Sequence, residues 1–277
     1  MDEVGVNRVF HDHECHYYDE RFAIVHDERS ARRALREVET LLGRPLCGGE
    51  VVLDVGCGTG WLAAGLRRSA PHVRVVGLDL AAGMLERARQ AGAWPLVQGL
   101  AGGGDGGLPI RSGSVDLIVG RGVLHHLPDP LGALAEWRRA LRPGGVVVLS
   151  SEPTPVVERH GDLLVRAMLA VLRTPLTPED DFWELAAMAA NLHVFTLAEM
   201  RALAMGAGFV STDLRSESVA ATLVLTASYV LHGRRPALAR RLPWREAESA
   251  ARAIDAHLLD HLVPERLRHV VVGRLTA

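Results

Sequence analysis

The 277-residue chain contains no lysine; arginine supplies all 31 of its Lys/Arg side chains. Together with abundant alanine and glycine, that bias points to a GC-rich coding sequence rather than to chemistry. Neither sign of charge is in excess. The formal net charge is −2, so no global basic field draws the chain to nucleic acid. Cysteine is scarce: Cys15, Cys47 and Cys57 form no CxxC pair. No signal-like segment opens the chain either, so a reducing cytoplasm is the expected setting. The longest uncharged apolar stretch, Val219 to Leu231, is too short to span a bilayer. No internal repeat of fixed period is visible. What remains is an ordinary globular composition, 48% hydrophobic and 23% charged, at a length that suits one large domain carrying insertions.

One stretch is unusual in what it has. "VVLDVGCGTGWL", Val51 to Leu62, places glycines at 56, 58 and 60 directly after an apolar run. Glycine has no Cβ and tolerates φ > 0, so it suits a tight turn that a ligand approaches closely. Strand, glycine turn and helix together begin a nucleotide-binding βαβ unit.

Alternation continues downstream. Strands are expected at Val51–Val55, Val73–Leu78, Pro95–Gln98, Val115–Val119 and Val146–Ser150. Helices are expected at Trp61–Ser69, Ala81–Gln90 and Pro130–Leu141, with "RPGG" (Arg142–Gly145) stopping the last. A helix over Glu28–Leu42 precedes them. Strands at Val210–Leu214 and His269–Ala277 close the pattern. The fold class read from this is α/β: a Rossmann-like, mostly parallel seven-stranded sheet with helices on both faces. Helical insertions at about 153–191 and 218–264 are expected over the substrate side of a single domain, 28–277. Residues 1–27 read as an amino-terminal lid.

Four ordered blocks, "VLDVGCGTG", "VVGLDLAAGMLERAR", "SVDLIVGRGVLHHLPDP" and "ALRPGGVVVLS", resemble the class I S-adenosylmethionine-dependent methyltransferases of the small-molecule type. They span roughly residues 50–151; "HVFTLAEMRALAMGAGF" matches the later part of that fold more weakly. The resemblance implies S-adenosylmethionine as cofactor and S-adenosylhomocysteine as product. It puts Gly56, Cys57, Gly58 and Gly60 against the methionine part. It implies that Asp54 orients the ammonium group and that Asp79 takes the ribose hydroxyls. Leu80 would pack on the adenine, and the segment carrying Arg121 would lie beside the cofactor. Tyr17 or Tyr18, in "YYD", resembles the lid tyrosine near the cofactor carboxylate. One departure stands out: Leu100 occupies a position where the family often has an adenine-binding aspartate. Either Leu100 and Ala101 meet the base through backbone and packing, or Asp105 loops back to it.

Ligands of parallel α/β sheets lie beyond the carboxyl ends of the strands. His125 and His126, after the fourth strand, and Glu152, after the fifth, are therefore the catalytic candidates. A base is needed only if the acceptor must lose a proton early. His193 is a weaker candidate for facing the acceptor. The contiguous "HDHECH" has metal-capable side chains, but contiguity argues against a compact site, and no metal is expected. An apolar stripe, Leu163, Leu164, Ala167, Met168, Val171 and Leu172, together with Val219–Leu231, favours a small hydrophobic acceptor. The expected partner is thus a small molecule, with no nucleic acid and no membrane span, and the oligomeric state is left open. The competing readings are a protein that binds the cofactor without transferring methyl, and a macromolecule methyltransferase. The G-x-G-x-G spacing disfavours an oxidoreductase.

Overall fold

The computed structural model describes residues 2–102, 107–172 and 191–277. Its strands are β1 (Val51–Val55), β2 (Arg74–Asp79), β3 (Leu96–Gln98), β4 (Val115–Arg121), β5 (Leu141–Pro153), β6 (Ser211–Glu217) and β7 (Val270–Thr276). They form one sheet of order β3-β2-β1-β4-β5-β7-β6. All pairs are parallel except those of β7, which runs antiparallel to both β5 and β6.

Neighbouring strand residues serve opposite faces, as the strand period of two requires. Val52, Leu117 and Val148 pack beneath the helices α3 (Glu28–Leu42) and α4 (Trp61–Ser69). Leu53, Ile118 and Leu149 pack on the other face with α6 (Pro130–Ala140) and α8 (Leu197–Gly206). The near-continuous apolar runs in β1 and β4 follow from this two-sided burial. Helix starts are set locally. Asp27 accepts the Ser30 amide at 2.8 Å, Asp129 accepts that of Gly132 at 2.9 Å ahead of Pro130, and Thr196 with Glu199 forms a capping box.

Several strand boundaries differ from the sequence expectation, those of β4, β5 and β6 by two residues or more. β4 runs on to Arg121, because Gly120 and Arg121 pair with Leu149 and Ser150. β5 takes in "RPGG", because Leu141 already pairs with Val115 across a register shift. The insertions are helical where they are described: α7 (Pro155–Leu172), α9 (Ala220–Arg234) and α10 (Trp244–Ile254). The remainder of the first insertion, 173–190, lies outside the described residues. Along α7 the expected stripe divides. Leu163 and Val171 are 61% and 81% exposed, whereas Leu164, Met168 and Leu172 are half-buried. No helix among the described residues is long and apolar enough to cross a membrane.

Residues 2–27 fold as α1 (Glu3–Glu14) and the single turn α2 (Tyr18–Arg21). They are fastened to α5 (Ala82–Gln90). Asp12 accepts the Gly83 amide at 2.8 Å, and Arg87 donates to the carbonyls of Cys15 and His16.

Candidate active site

The carboxyl ends of β1, β2 and β4 open into one shared cavity. Helix α1 covers it with Val4, Asn7, Arg8 and His11, four positions of one helical face. The far walls come from the glycine turn after β1, from residues 78–81 at the end of β2, from 100–102, and from 121–128.

The three glycines of the turn have different reasons to be glycine. All have positive φ, +64° at Gly56, +53° at Gly58 and +81° at Gly60. At Gly56 a side chain would overlap Val123; at Gly60 it would stand 2.8 Å from Ala88. At Gly58 a Cβ would meet nothing within 4 Å, and Gly58 lines the cavity. Gly58 is thus the glycine that leaves space for a ligand; the other two leave space for the protein.

Asp79 faces this turn. Its Oδ2 accepts the Gly58 amide at 2.8 Å and its Oδ1 accepts the Ala81 amide at 2.9 Å. Burial raises its pKa, opposed by those two amides and by the nearby His11. Each oxygen keeps a lone pair for a donor in the cavity, which suits a pair of ligand hydroxyls. Asp79, Gly58 and an apolar wall of Leu80, Met84, Leu100 and Ala101 therefore fit a nucleoside. The Ala101 carbonyl is already taken by the indole N–H of Trp137, which ties this wall to α6. Asp105 lies outside the described residues.

Arg121 and Tyr18 also line the cavity. The guanidinium of Arg121 lies over the Trp61 ring, 5.1 Å from its centroid, and reaches Glu37 Oε1 at 3.3 Å. Burial alone would raise Glu37, but Arg121, Arg252 and Arg33 outweigh it and hold the carboxyl below its ordinary value. Burial raises the Tyr18 phenol, keeping it neutral.

Several expected site residues are not part of the lining. Asp54 is buried beneath the turn, where its Oδ2 accepts the Ala63 amide at 3.0 Å and fixes the start of α4. Burial pushes its pKa up to about 8, against the Ala63 bond. The Cys57 side chain turns inward toward Gly77, and Gly60 packs on Ala88 and Ala93. Glu152 is fully buried. Its carboxylate accepts the amides of Val123, Leu124 and His125 at 2.9–3.1 Å and contacts His125 Nδ1 at 2.9 Å. The pair is spent on shaping the 122–126 loop, and neither lines the cavity. His126 does line it. His193 donates its amide to the His125 carbonyl, and its buried Nε2 has no hydrogen-bond partner among the described residues.

Sequence reasoning left the α1 face out of the site. Its only signal is the helical spacing of residues 4, 7, 8 and 11, which carries just one apolar side chain. Among the described residues, no three His, Cys, Asp or Glu side chains assemble as a metal-ion group.

Residues 53–149 match the family model described as a methyltransferase domain. A malonyl-acyl-carrier-protein O-methyltransferase of Dechloromonas aromatica is 30% identical over 247 residues, covering 83% of this chain and 83% of the relative. A demethylmenaquinone methyltransferase of Staphylococcus aureus is 31% identical, covering 61% and 71%. Among solved structures, the (4+2)-cyclase SpnF shares the fold with a TM-score of 0.53 at 17% identity, covering 89% of this chain and 80% of that one. The chain belongs to the class I S-adenosylmethionine-dependent methyltransferases. It is a methyltransferase with S-adenosylmethionine as cofactor.

Proposed function

We propose that this methyltransferase passes the methyl group of S-adenosylmethionine to a small, largely apolar organic acceptor by in-line displacement. The observation that carries the reading is the open side of Gly58 beside the Asp79 carboxylate in one cavity. In this reading Asp79 accepts the ribose hydroxyls, and Leu80, Leu100 and Ala101 flank the adenine. Gly56 and Gly58 run beside the methionine portion, with Arg121 and Tyr18 toward its carboxylate. Asp54, Cys57 and Gly60 act from beneath by holding the turn. Bound there, the cofactor supplies an electrophilic methyl carbon on a sulfonium.

The chain's own contribution is alignment and exclusion of water. Residues 1–27 serve as the cover. The Thr59 hydroxyl, on the glycine turn, donates to Asp19 Oδ1 at 2.6 Å, so the cover is bonded to the turn it closes over. Glu152 and His125 position the loop that presents His126. Val4, Leu127 and Pro128 add apolar surface to the same cavity, which supports an apolar acceptor. The two relatives are named for very different acceptors, so relatedness alone leaves the acceptor's identity open.

Calorimetry with S-adenosylhomocysteine and with NAD, followed by detection of S-adenosylhomocysteine formed from a panel of acceptors, tests the reading. Tight NAD binding without a response to S-adenosylhomocysteine would overturn it. Cofactor binding with no product across a broad panel would favour a cofactor-binding role without transfer.

A further inference from the structure

Among the described residues three imidazole–carboxylate pairs are formed, His11–Glu14, His26–Asp19 and His125–Glu152, and of their imidazoles His11 is the one in the cavity wall. His125 and Glu152 form the buried pair described above, outside the lining. The His11–Glu14 pair lies within α1. His11 Nδ1 is 3.5 Å from Glu14 Oε2, three residues on, and His11 lines the cavity. Glu14 is only 3% exposed. It is fixed from other elements, by Arg21 Nη1 at 3.8 Å and by a side-chain hydrogen bond with Tyr229 of α9. The buried Glu14 carboxylate stands on the Nδ1 side of the imidazole, where it can accept a hydrogen bond from a proton-bearing Nδ1. Nε2 then keeps its lone pair and points away from the carboxylate. That is the arrangement of a base oriented by a third group.

We propose that His11 is the general base of the transfer, oriented by Glu14, and that the acceptor is an O–H or N–H nucleophile that must lose its proton. The inference rests on the methyl-transfer reading above. As the acceptor's heteroatom bonds to the methyl carbon, the carbon–sulfur pair passes to sulfur, leaving a neutral thioether. The acceptor's proton passes to His11 Nε2 and then to water. A carboxylate acceptor is already ionised at neutral pH and needs no such group, so the pair in the wall speaks for a hydroxyl or amine.

The groups facing His11 from the packed elements are Glu14 on its own helix, His126 edge-on at 5.0 Å between ring centroids, and Asp79 at the end of β2. Arg8 lines the same wall, and Arg21 and Tyr229 act through Glu14.

The experiment is nitrogen NMR of the full chain with labelled histidine, without ligand and with S-adenosylhomocysteine, the His11 signal being assigned by its loss in His11→Gln. The expected result is Nδ1–H with a lone pair on Nε2 in the wild type, and loss of that tautomer preference in Glu14→Gln. The opposite tautomer in the wild type, or an unchanged preference in Glu14→Gln, overturns the proposal even if the cofactor binds. Failure of S-adenosylhomocysteine to bind the wild type would instead sink the methyl-transfer reading. The kinetic arm uses 2-naphthol and 2-naphthoate, one apolar skeleton with two nucleophiles. His11→Gln should bind S-adenosylhomocysteine within about threefold of wild type, yet lose roughly 10²–10⁴-fold in kcat on naphthol and lose the acidic limb of its pH profile. Turnover of naphthoate alone, unaffected in His11→Gln, overturns the acceptor class.

Discussion

The Val123 side chain occupies the space in which a Cβ at Gly56 would stand. Val123 is held there by its own amide, which donates to Glu152 at 2.9 Å. The glycine turn and the loop after β4 are therefore one packed unit, although 67 positions separate the two residues (123 minus 56). Gly56→Ala should destabilise the fold by about 2 kcal/mol or more, because left-handed strain of roughly 1–2 kcal/mol is joined by this overlap. Urea unfolding measures it. A variant as stable as wild type would mean that Val123 can yield freely.

Gly58→Ala separates folding from binding. The φ of +53° still carries strain of about 1–2 kcal/mol, but the added methyl meets no protein atom within 4 Å. The protein should stay folded while affinity for S-adenosylhomocysteine drops at least about tenfold. Calorimetry alongside a thermal melt decides; unchanged affinity in the folded variant removes Gly58 from the cofactor wall.

The sheet was legible because its strands are short apolar runs set off by glycine, proline and polar breaks, each signal being local. Asp79, Leu80, Leu100, Arg121 and His126 could be placed at the cavity because residues after parallel strands face the ligand edge. Direction within a turn is not local. Asp54, Cys57 and Gly60 are neighbours of the lining in sequence, yet they point into the protein, and only the packing against Ala63, Gly77 and Ala88 decides that. Glu152 sits at the proper strand end, but three backbone amides from another element claim its oxygens. Helix α1 was not marked by hydrophobic periodicity, because the face that lines the cavity carries Asn7, Arg8 and His11.

Asp79→Ala should weaken S-adenosylhomocysteine binding on the order of 10–200-fold, from about 1.5–3 kcal/mol for a lost charged hydrogen-bond acceptor. The Gly58 and Ala81 amides lose their acceptor as well, so a modest fall in melting temperature should accompany it. Direct titration of the folded variant checks the binding term. An unchanged dissociation constant would remove Asp79 from the ribose.

Glu152→Gln should cost about 1–3 kcal/mol of stability, since a carboxamide offers one acceptor where three amides and an imidazole now share two oxygens. Its NH₂ would face other donors. Because the loop carries His126 into the cavity, kcat should fall together with stability. Urea unfolding and product formation at saturating acceptor, measured on one preparation, test the coupling. A stable variant with reduced kcat would return Glu152 to a direct role in the chemistry.

Asp54 makes stability depend on pH in an unusual direction. Burial pushes its pKa up to about 8 in the folded chain, whereas an unfolded aspartate titrates at about 3.9. Between those values the folded state keeps a proton that the unfolded state has released. The contribution of this group is therefore present at low pH and is lost as pH rises through the window, by at most about 1.4 kcal/mol per pH unit. Asp54→Asn stays neutral throughout and can still accept the Ala63 amide through Oδ1, so the fastening of α4 survives. Urea unfolding at pH 5, 6, 7 and 8 should give a stability that declines with pH more steeply in wild type than in the variant, with the variant the more stable at pH 8. Parallel curves would mean that Asp54 is ionised in the fold at neutral pH, with its charge held by donors other than the Ala63 amide.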